Sequence, residues 1–325
     1  MKILLTGSEG NLGYYIVHDL KLLGHEVFRV QLSRDQRIEE NIAYGDLSNR
    51  NFIENIFSRH HFDAIIHCAA RLYGVTGFNS DVYGLFQNDL LMLLNLLNNI
   101  QINPVRRFVY ISSSMVYEMS NESVFKEDSF SEILAPESSY GMTKHIGEKS
   151  INYFKEQYPN FDFTIWRPFN IVSPRETYRP HAHVFVDFTQ KILVEKLNSI
   201  TFIGDGKQKR CFTWVGDVSS CISENIFQDF TLNQIFNIGQ TVPLEMKELA
   251  LIIAEYGVEK GIIDEIPKFV EGEKPKYDIN YRVPSVNKIN NFISTNNFLK
   301  PKDSIYKYLD ETLIQNENGK ISWVK

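Results

Sequence analysis

The first thirteen residues carry the feature that most restricts the fold. An apolar run from Ile3 to Leu5 is followed at once by Gly7, Gly10 and Gly13. The run predicts a buried strand, and the glycine spacing predicts a tight turn that opens into a helix. In such a turn the glycines make the bend and let backbone N–H groups approach a ligand, and the helix N-terminus attracts phosphate. We therefore expect a strand–turn–helix unit that binds a dinucleotide.

The first half of the chain alternates short apolar runs with longer segments of helical spacing. Strands are predicted at residues 2–5, 26–30, 41–44, 64–67, 108–111 and 163–167. Helices are predicted at residues 12–23, 50–59, 82–99 and 140–158. This alternation implies right-handed crossovers and an α/β fold, with a parallel sheet covered by helices on both faces. Ligands of such a sheet lie beyond the carboxyl ends of its strands.

The second half is less regular and suggests a smaller lobe. Short strands are predicted at residues 201–203 and 211–215, and helices at 183–197, 244–256 and 302–314. We interpret residues 1–170 as a dinucleotide-binding domain, with segments near 211–240 returning to its sheet. Residues 171–325 are interpreted mainly as an α/β substrate lobe that closes over the cleft. Residues 315–325 are expected to form a loosely held tail.

Composition excludes several classes of function. The formal net charge of −6 argues against a nucleic-acid surface, which is usually basic. The chain has three isolated cysteines, Cys68, Cys211 and Cys221. They lack metal-ligand spacing, and His181 and His183 have no clear third ligand, so we expect no metal. The longest apolar stretch, residues 90–97, is too short to cross a bilayer, and no secretory pattern is visible. We expect a cytoplasmic protein without a membrane partner.

A tyrosine and a lysine four residues apart form the strongest candidate for catalysis. Tyr140 and Lys144 share one face of a predicted helix, and the serine run 112–114 follows a predicted strand. A free tyrosine titrates near ~10. Lys144 and an oxidised nicotinamide are expected to lower the pKa of Tyr140 toward neutrality, with Ser113 sharing the proton path. Alone, the pair could be ordinary helix residues. Beside a dinucleotide site, it indicates alcohol–ketone chemistry by hydride transfer.

Two further strand ends fit a dinucleotide. Asp46, followed by Leu47, stands where a carboxylate can accept a proton from the adenine amino group, although it could equally cap the next helix. Ala69 and Ala70 end the following strand, and their small side chains leave room for a ribose. Small residues at a strand end are also common as simple packing.

The end of the second predicted strand bears on the choice between NAD and NADP. An NAD site usually has an acidic residue there, which binds the ribose 2′-hydroxyl. This chain has Gln31, with Arg34 three positions later. A neutral glutamine does not repel a 2′-phosphate, and arginine is the usual residue that holds one. We therefore favour NADP over NAD, the alternative being a solvated, charged loop.

Taken together, the motifs resemble the extended short-chain dehydrogenase/reductase superfamily, in the nucleotide-sugar epimerase, reductase and dehydratase branch that includes UDP-glucose 4-epimerase-like proteins. The motifs run in order along most of the chain: Thr6-Gly7-x-x-Gly10-x-x-Gly13, Gly45-Asp46-Leu47, His67-x-Ala-Ala70, Asn88, Ser112–Tyr117, Tyr140-x-x-x-Lys144, Arg167-Pro-Phe-Asn170, Gly204-Asp-Gly206 with Arg210, Asp217-Val218 and Asn237-Ile-Gly239. The resemblance implies a Rossmann-type parallel sheet that binds NAD(P) and a lobe that binds a nucleoside-diphosphate sugar. It also implies a homodimer formed through the two long helices, residues 82–99 and 140–158, whose apolar residues could equally be ordinary core.

The resemblance gives individual residues a role. It makes Ser113 the catalytic hydroxyl, Tyr140 the general acid/base and Lys144 the lysine that binds the nicotinamide ribose. The residues expected at the cofactor are Gly7, Gly10, Asn11, Leu12, Gly13, Gln31, Arg34, Asp46, Leu47, Ala69, Ala70, Asn88, Tyr140, Lys144 and Phe169. The residues expected at the sugar nucleotide are Ser114, Asn170, His183, Arg210 and Arg282. The family normally has an aspartate three positions after the second arginine, and Ser285 stands there instead.

The resemblance leaves more than one reaction open. Dehydratases of this branch carry Asp-Glu after the catalytic hydroxyl, and Ser114-Met115 stands there, which disfavours 4,6-dehydration. A C4 epimerase would oxidise the sugar hydroxyl and return the hydride to the other face. An NADPH-dependent reductase of a keto-sugar is the alternative, favoured by Gln31 and Arg34. A non-catalytic dinucleotide sensor is disfavoured because all three catalytic residues are present. We interpret the chain as a nucleoside-diphosphate-sugar C4 epimerase.

Overall fold

The computed structural model describes residues 1–70, 82–131, 134–179, 182–273, 281–315 and 321–324. Its strands are β1 (Lys2–Thr6), β2 (Glu26–Gln31), β3 (Arg37–Ile38), β4 (Ile42–Tyr44), β5 (Ala64–His67), β6 (Arg107–Ile111), β7 (Phe163–Pro168), β8 (Ile171–Val172), β9 (Ser199–Thr201), β10 (Lys209–Arg210), β11 (Thr213–Trp214), β12 (Gln234–Ile238), β13 (Leu244–Glu245), β14 (Lys268–Val270), β15 (Tyr281–Arg282), β16 (Leu313–Gln315) and β17 (Ile321–Trp323). Its α-helices are α1 (Gly13–Leu22), α2 (Arg50–Arg59), α3 (Val82–Ile102), α4 (Ser139–Gln157), α5 (Val184–Thr189), α6 (Val215–Glu224), α7 (Met246–Glu259), α8 (Asn287–Asn290) and α9 (Pro301–Thr312).

Within the described residues the largest sheet has eight strands, in the order β12-β7-β6-β5-β1-β2-β4-β3. Neighbouring strands are parallel except at the edge, where β3 pairs antiparallel with β4. Side chains of β1 alternate between two apolar clusters: Ile3 and Leu5 pack with α1 and α6, and Leu4 packs with α2, α3 and α4. Both faces of the sheet are therefore buried, as its apolar runs predict. The predicted α/β fold class with a Rossmann-type sheet is confirmed.

The strand order places three functional segments side by side. β1 lies between β2 and β5, so the chain continues to one side of β1 through β2 and β4 and later crosses to its other side at β5. The glycine turn follows β1, residues 68–70 follow β5, and the serine run 112–114 follows β6. Because the carboxyl ends of parallel strands lie at one edge, these three segments meet there.

The second half of the chain forms smaller sheets around the same cleft. β10 pairs with β13 and β15, β9 pairs with β14, and β8 pairs with β11. β12 instead extends the main sheet beside β7. In the part of the chain that is described, every helix is too short or too polar to cross a membrane.

The expected loose tail is wrong for the residues that the structure describes. β16 and β17 form an antiparallel pair, and Ile321 is only 3% exposed. The indole Nε1 of Trp323 donates to the Gln190 side chain at 2.7 Å. Ile321 and Trp323 therefore pack against the apolar core of the lobe, although the segment around them is polar. The predicted strand at 201–203 is also displaced, because β9 ends at Thr201.

Candidate active site

In the part of the chain that the structure describes, a continuous cleft lies at the carboxyl edge of the main sheet. Its volume is about 1870 Å³. A typical ligand pocket measures roughly 300–1,000 Å³, so the cleft has room for two ligands. Its walls include these predicted site residues: Gly7, Gly10, Asn11, Leu12, Gly13, Gln31, Asp46, Leu47, Ala69, Ala70, Asn88, Ser113, Ser114, Tyr140, Lys144, Asn170, His183, Arg210 and Arg282.

Arg34 and Phe169 are the two members of the predicted set that do not line the cleft as described. Arg34 lies in an exposed loop after β2. Phe169 is fully buried and packs against the rings of Tyr117 and Phe125. Its main chain helps to fix the local backbone, because the carbonyl of Phe169 accepts a hydrogen bond from the Thr213 hydroxyl at 2.9 Å. A phenylalanine after a strand can face the core as readily as a ligand, and the sequence pattern does not distinguish the two.

The three glycines of the turn have different reasons to be glycine. Gly7 has a φ of 70°, and a Cβ there would lie 2.7 Å from the amide nitrogen of Ala69. A Cβ on Gly13 would lie 2.2 Å from the carbonyl oxygen of Gly7. Both positions are therefore fixed by packing within the protein. A Cβ on Gly10 would meet only the Gly7 oxygen, at 3.2 Å, and Gly10 lines the cleft. Gly10 is thus the position that leaves room for a ligand.

The N-terminus of α1 is suited to an anion. No side chain caps this helix, and its first turn has no acidic residue. The hydroxyl of Ser8 is buried in the same turn and makes no hydrogen bond with any described residue. Amides at a helix N-terminus and an unpaired hydroxyl are the groups that bind phosphate. The turn therefore fits the pyrophosphate of a dinucleotide.

Of the two interpretations of Asp46, the helix cap is wrong, whereas its position at the cleft agrees with the other. One carboxylate oxygen accepts from the amide and the hydroxyl of Ser48, both at 2.8 Å. The residue also lines the cleft beyond the end of β4. Asn49, not Asp46, caps α2. The carboxylate is therefore held in place by Ser48 while it faces the cleft.

Ser113, Tyr140 and Lys144 lie together in the middle of the cleft. The hydroxyl of Ser113 forms a hydrogen bond with the phenol of Tyr140 and also accepts from the amide of Met115 at 3.2 Å. The ammonium of Lys144 lies 5.8 Å from the centre of the Tyr140 ring and donates to the carbonyl of Ile111 at 2.8 Å. Tyr140 is 8% exposed and Lys144 is 3% exposed. The helical spacing of four has placed the two side chains next to each other, beside the serine.

The pKa of Tyr140 departs from the sequence-based expectation. Burial raises its pKa well above 10, the hydrogen bond from Ser113 lowers it in part, and Asp89 raises it again. Burial also lowers the pKa of Lys144, which Asp89 opposes. The expected lowering of the tyrosine pKa is therefore not a property of the protein alone. A phenol so deeply buried keeps its proton until a further positive charge lies beside it.

Asp89 is a residue that sequence reasoning missed. It lies on α3, next to Asn88, and is only 7% exposed. Its charge acts on both Tyr140 and Lys144. The available signal was an acidic residue within a strongly apolar helix, because a carboxylate is rarely buried there without a partner.

At the other end of the cleft, two arginines stand side by side. Arg210 on β10 and Arg282 on β15 are direct neighbours across the parallel pair. Burial lowers the pKa of Arg282 to about 9, with a further contribution from Arg210, and Glu118 opposes both. The Nε of Arg282 has no hydrogen-bond partner among the described residues. Like charges directly opposite each other destabilise a sheet, so this pair fits an anion such as a diphosphate.

Replacing Arg282 with methionine should separate stability from ligand binding. We expect UDP or GDP to bind about 10- to 100-fold more weakly, the equivalent of one charged hydrogen-bonded contact. The melting temperature should not fall, because a buried like-charge contact is removed. The matched control is Lys209→Met on the neighbouring strand β10, whose ammonium pairs with Glu245 at 3.7 Å. Calorimetric titration that finds equal binding losses in both variants would contradict an anion site at Arg282.

Asn170 and His183 border the space between the two ends. Asn170 has a φ of 37°, an uncommon left-handed conformation, and its amide donates to the Cys211 carbonyl at 2.9 Å. Strained backbone of this kind is frequent at functional sites. The Nδ1 of His183 lies 2.6 Å from a carboxylate oxygen of Glu176. Ser114 is buried in the turn after β6 and borders the cleft. His181 is outside the described residues.

A buried ion pair supports the helix that carries the tyrosine and lysine. Glu148 follows Lys144 by one turn of α4, and Arg167 on β7 reaches it through contacts of 2.6 and 2.9 Å. Both side chains are completely buried. Glu148 also accepts from Ser112, and Arg167 also donates to Tyr117. This network fixes α4 against the strand end that carries Ser113.

The described residues include no group of histidine, cysteine and acidic side chains that could hold a metal.

Comparison with known proteins places the chain in a family. Residues 3–239 match the NAD dependent epimerase/dehydratase family. A relative from Bacillus subtilis, an uncharacterized UDP-glucose epimerase, is 26% identical over 285 residues, covering 81% of this chain and 84% of the relative. GDP-mannose 3,5-epimerase of Arabidopsis thaliana is 23% identical over 276 residues, covering 82% and 72%. UDP-glucose 4-epimerase of Thermus thermophilus, solved with NAD, has a TM-score of 0.79 at 22% identity, covering 96% and 98%.

The fold and the family match together define a nicotinamide-dependent enzyme built on a Rossmann-type sheet. The chain belongs to the NAD dependent epimerase/dehydratase family, because the match spans well over half of its length.

Proposed function

We propose that the protein is a nucleoside-diphosphate-sugar C4 epimerase. The observation that carries the proposal is the continuity of the cleft from the glycine turn to Arg210 and Arg282, with Tyr140 between them. A dinucleotide at the turn and a sugar diphosphate at the arginines would meet at the phenol. The names of the relatives are consistent with this substrate class, and they include both UDP- and GDP-sugar enzymes.

The roles of the side chains follow from their positions. Tyr140 takes the proton of the sugar hydroxyl as the C–H bond gives up its hydride, and Ser113 donates to the carbonyl oxygen that forms. When bound, oxidised nicotinamide supplies the hydride acceptor and the positive charge that the buried phenol needs. Lys144, held by Ile111, binds the adjoining ribose. For inversion, Tyr140 would give its proton back to the same oxygen when the hydride is returned to the opposite face of the sugar carbon. The pair Arg210–Arg282 holds the diphosphate while the sugar turns.

The retained nucleotide is the first test of this proposal. The purified protein is denatured, and the released nucleotide is identified by chromatography and mass spectrometry. An epimerase returns its hydride within each cycle, so we expect a tightly held oxidised dinucleotide. An empty site that binds NADPH reversibly would favour the keto-sugar reductase instead. If neither NAD nor NADP binds, both enzyme proposals fail. Thermal-shift screening with UDP-, GDP-, CDP- and dTDP-sugars then identifies the base.

We extend the proposal to a preference for NADP over NAD. Gln31 lines the cleft at the end of β2, where a carboxylate would repel a 2′-phosphate. Arg34 is exposed and makes no ion pair with any described residue, so its guanidinium is available to a phosphate oxygen.

Replacing Arg34 with glutamate should weaken NADP binding about tenfold or more, because a charge-assisted contact becomes a repulsion. NAD binding should change little. Arg37→Gln is the matched control, since Arg37 pairs with Glu39 at 3.0 Å and stacks on Tyr44. Fluorescence titration that gives equal losses for NAD and NADP in the Arg34 variant would contradict the preference.

We also propose a homodimer through α3 and α4, which pack against each other. Together they expose several large side chains, Tyr83, Leu91, Leu94 and Tyr153. Leu91→Glu on α3 is expected to yield monomers in sedimentation velocity. A wild-type protein that sediments as a monomer would exclude the dimer and leave the enzymatic proposal intact.

The division of the chain into a dinucleotide-binding domain (residues 1–170) and a substrate lobe (residues 171–325) remains a proposal as well.

A further inference from the structure

In the loop between β8 and α5, residues 173–179 contact the glycine turn, and residues 182–183 border the middle of the cleft. At its start, the Ser173 hydroxyl donates to the carbonyl of Asn11 at 3.1 Å, and the Arg175 Nε donates to the carbonyl of Glu9 at 3.2 Å. Glu9 and Asn11 belong to the glycine turn. At its end, the loop carries His183 into the region of the proposed sugar nucleotide. One short segment therefore spans the two proposed ligand sites.

Glu176 is the residue of this loop whose side chain contacts both the glycine turn and His183. Its side chain is 2% exposed. One carboxylate oxygen accepts from the amide Nδ2 of Asn11 at 3.2 Å. The other accepts from the main-chain amide of His183 at 3.2 Å, and the ring Nδ1 of His183 lies 2.6 and 2.8 Å from the two oxygens. Glu176 itself is not part of the cleft wall as described.

A carboxylate in this position depends on both partners. Burial raises the pKa of Glu176, but hydrogen bonds and charge from His183, together with the charge of Arg179, leave it below its ordinary value. A charged group that is so little exposed loses much of its stabilisation if either partner moves away. A ligand that holds Asn11 in place therefore also holds the Glu176 carboxylate in place. The carboxylate in turn orients the main chain and the ring of His183.

We propose that Glu176 is a positioning residue that couples the dinucleotide site to the sugar-nucleotide site, so that each ligand strengthens the binding of the other. The proposal rests on the proposed function, because it assumes a dinucleotide at the glycine turn and a sugar nucleotide near His183. Glu176 touches neither ligand and acts through Asn11 and His183. Linkage requires the effect to be reciprocal, and couplings of this kind typically amount to about 5- to 150-fold in affinity.

The test measures the coupling directly. Full-length protein, freed of nucleotide, is titrated calorimetrically with UDP and, separately, with GDP, in the absence and in the presence of saturating NAD or NADP, whichever binds. For the wild type we expect the dissociation constant of the nucleotide that binds to fall about fivefold or more when the dinucleotide is present. Glu176→Gln should reduce this ratio to within about twofold of unity, because both neighbours donate to separate oxygens of the carboxylate, and the glutamine amide has one accepting oxygen and no charge. Glu176→Asp, which keeps the charge but is too short to reach both, should reduce it as well.

Tyr308→Phe is the matched control for loop order. The phenol of Tyr308 donates to the main-chain carbonyl of Glu176 at 3.0 Å, so this variant loosens the loop and leaves both carboxylate contacts in place. We expect it to keep the wild-type ratio, although it lowers stability. If it loses the ratio as fully as Glu176→Gln, or if Glu176→Gln keeps the ratio, the positioning role is overturned. A wild type that binds both ligands without coupling overturns the inference but not the proposed function. A wild type that binds no dinucleotide overturns both.

Discussion

Tyr140→Phe is expected to lower turnover by about two to four orders of magnitude, the usual contribution of a positioned acid/base group. The phenol is the hydroxyl that bonds to Ser113 in the middle of the cleft, and phenylalanine keeps its ring while removing its proton. Binding of the dinucleotide and of UDP or GDP should remain nearly unchanged, because the glycine turn and the arginine pair are untouched. Steady-state kinetics with the sugar nucleotide found in the screen, together with calorimetric titration, measure both quantities.

The control for this prediction is Tyr110→Phe. Tyr110 is also a buried phenol, its ring lies 4.9 Å from the Lys144 ammonium, and it does not line the cleft as described. Its loss should change turnover only a few-fold. Equal turnover in wild type and Tyr140→Phe would remove Tyr140 from the mechanism, whereas equal losses in the two variants would point to a packing effect.

Glu148→Ala is expected to destabilise the fold by about 3–5 kcal/mol, because it leaves a buried guanidinium without its carboxylate. Arg167 and Glu148 are both completely buried, so the guanidinium that remains is shielded from bulk water. Turnover should fall as well, since Glu148 also holds Ser112, the neighbour of Ser113. Urea unfolding followed by circular dichroism gives the free energy of unfolding.

Two controls separate the buried charge from the loss of a side chain. The double variant Glu148→Leu, Arg167→Met removes both charges, and it should be more stable than Glu148→Ala alone. Glu54→Ala removes the partner of Arg50 in an exposed pair of 2.7 Å and should cost less than about 1 kcal/mol. A loss below about 1 kcal/mol in Glu148→Ala would contradict the importance of the buried pair.

Much of the fold was accessible from the sequence because its signals are local. The strand at Ile3–Leu5, the glycine turn and the helical spacing of Tyr140 and Lys144 each lie within a few residues, and the backbone alone determines their geometry. The pairing of β16 with β17 was not predicted because its stabilisation comes from packing of Ile321 against the lobe. The motif that places Phe169 near the cofactor does not show that its ring faces the core, because a pattern gives no side-chain direction.

The contacts of the supporting carboxylates could not be predicted from the sequence for a different reason. Glu176 meets Asn11 across 165 positions of the chain, and Glu148 meets Arg167 across 19. Such contacts exist only after the sheet has formed. The rise of the Tyr140 pKa in the protein without a dinucleotide could not be predicted for the same reason, since burial is a tertiary property.

The most direct test of the central claim uses a hexose labelled with deuterium at C4. UDP-, GDP-, CDP- and dTDP-hexoses carrying this label are incubated with the protein as purified, without added nicotinamide, and the products are analysed by NMR and mass spectrometry. Hydride removal and return within one cleft predict that at least one of them is converted to its C4 epimer with the deuterium still on C4. Conversion with loss of the label to water, or no C4 epimer from any of the four, would contradict the account.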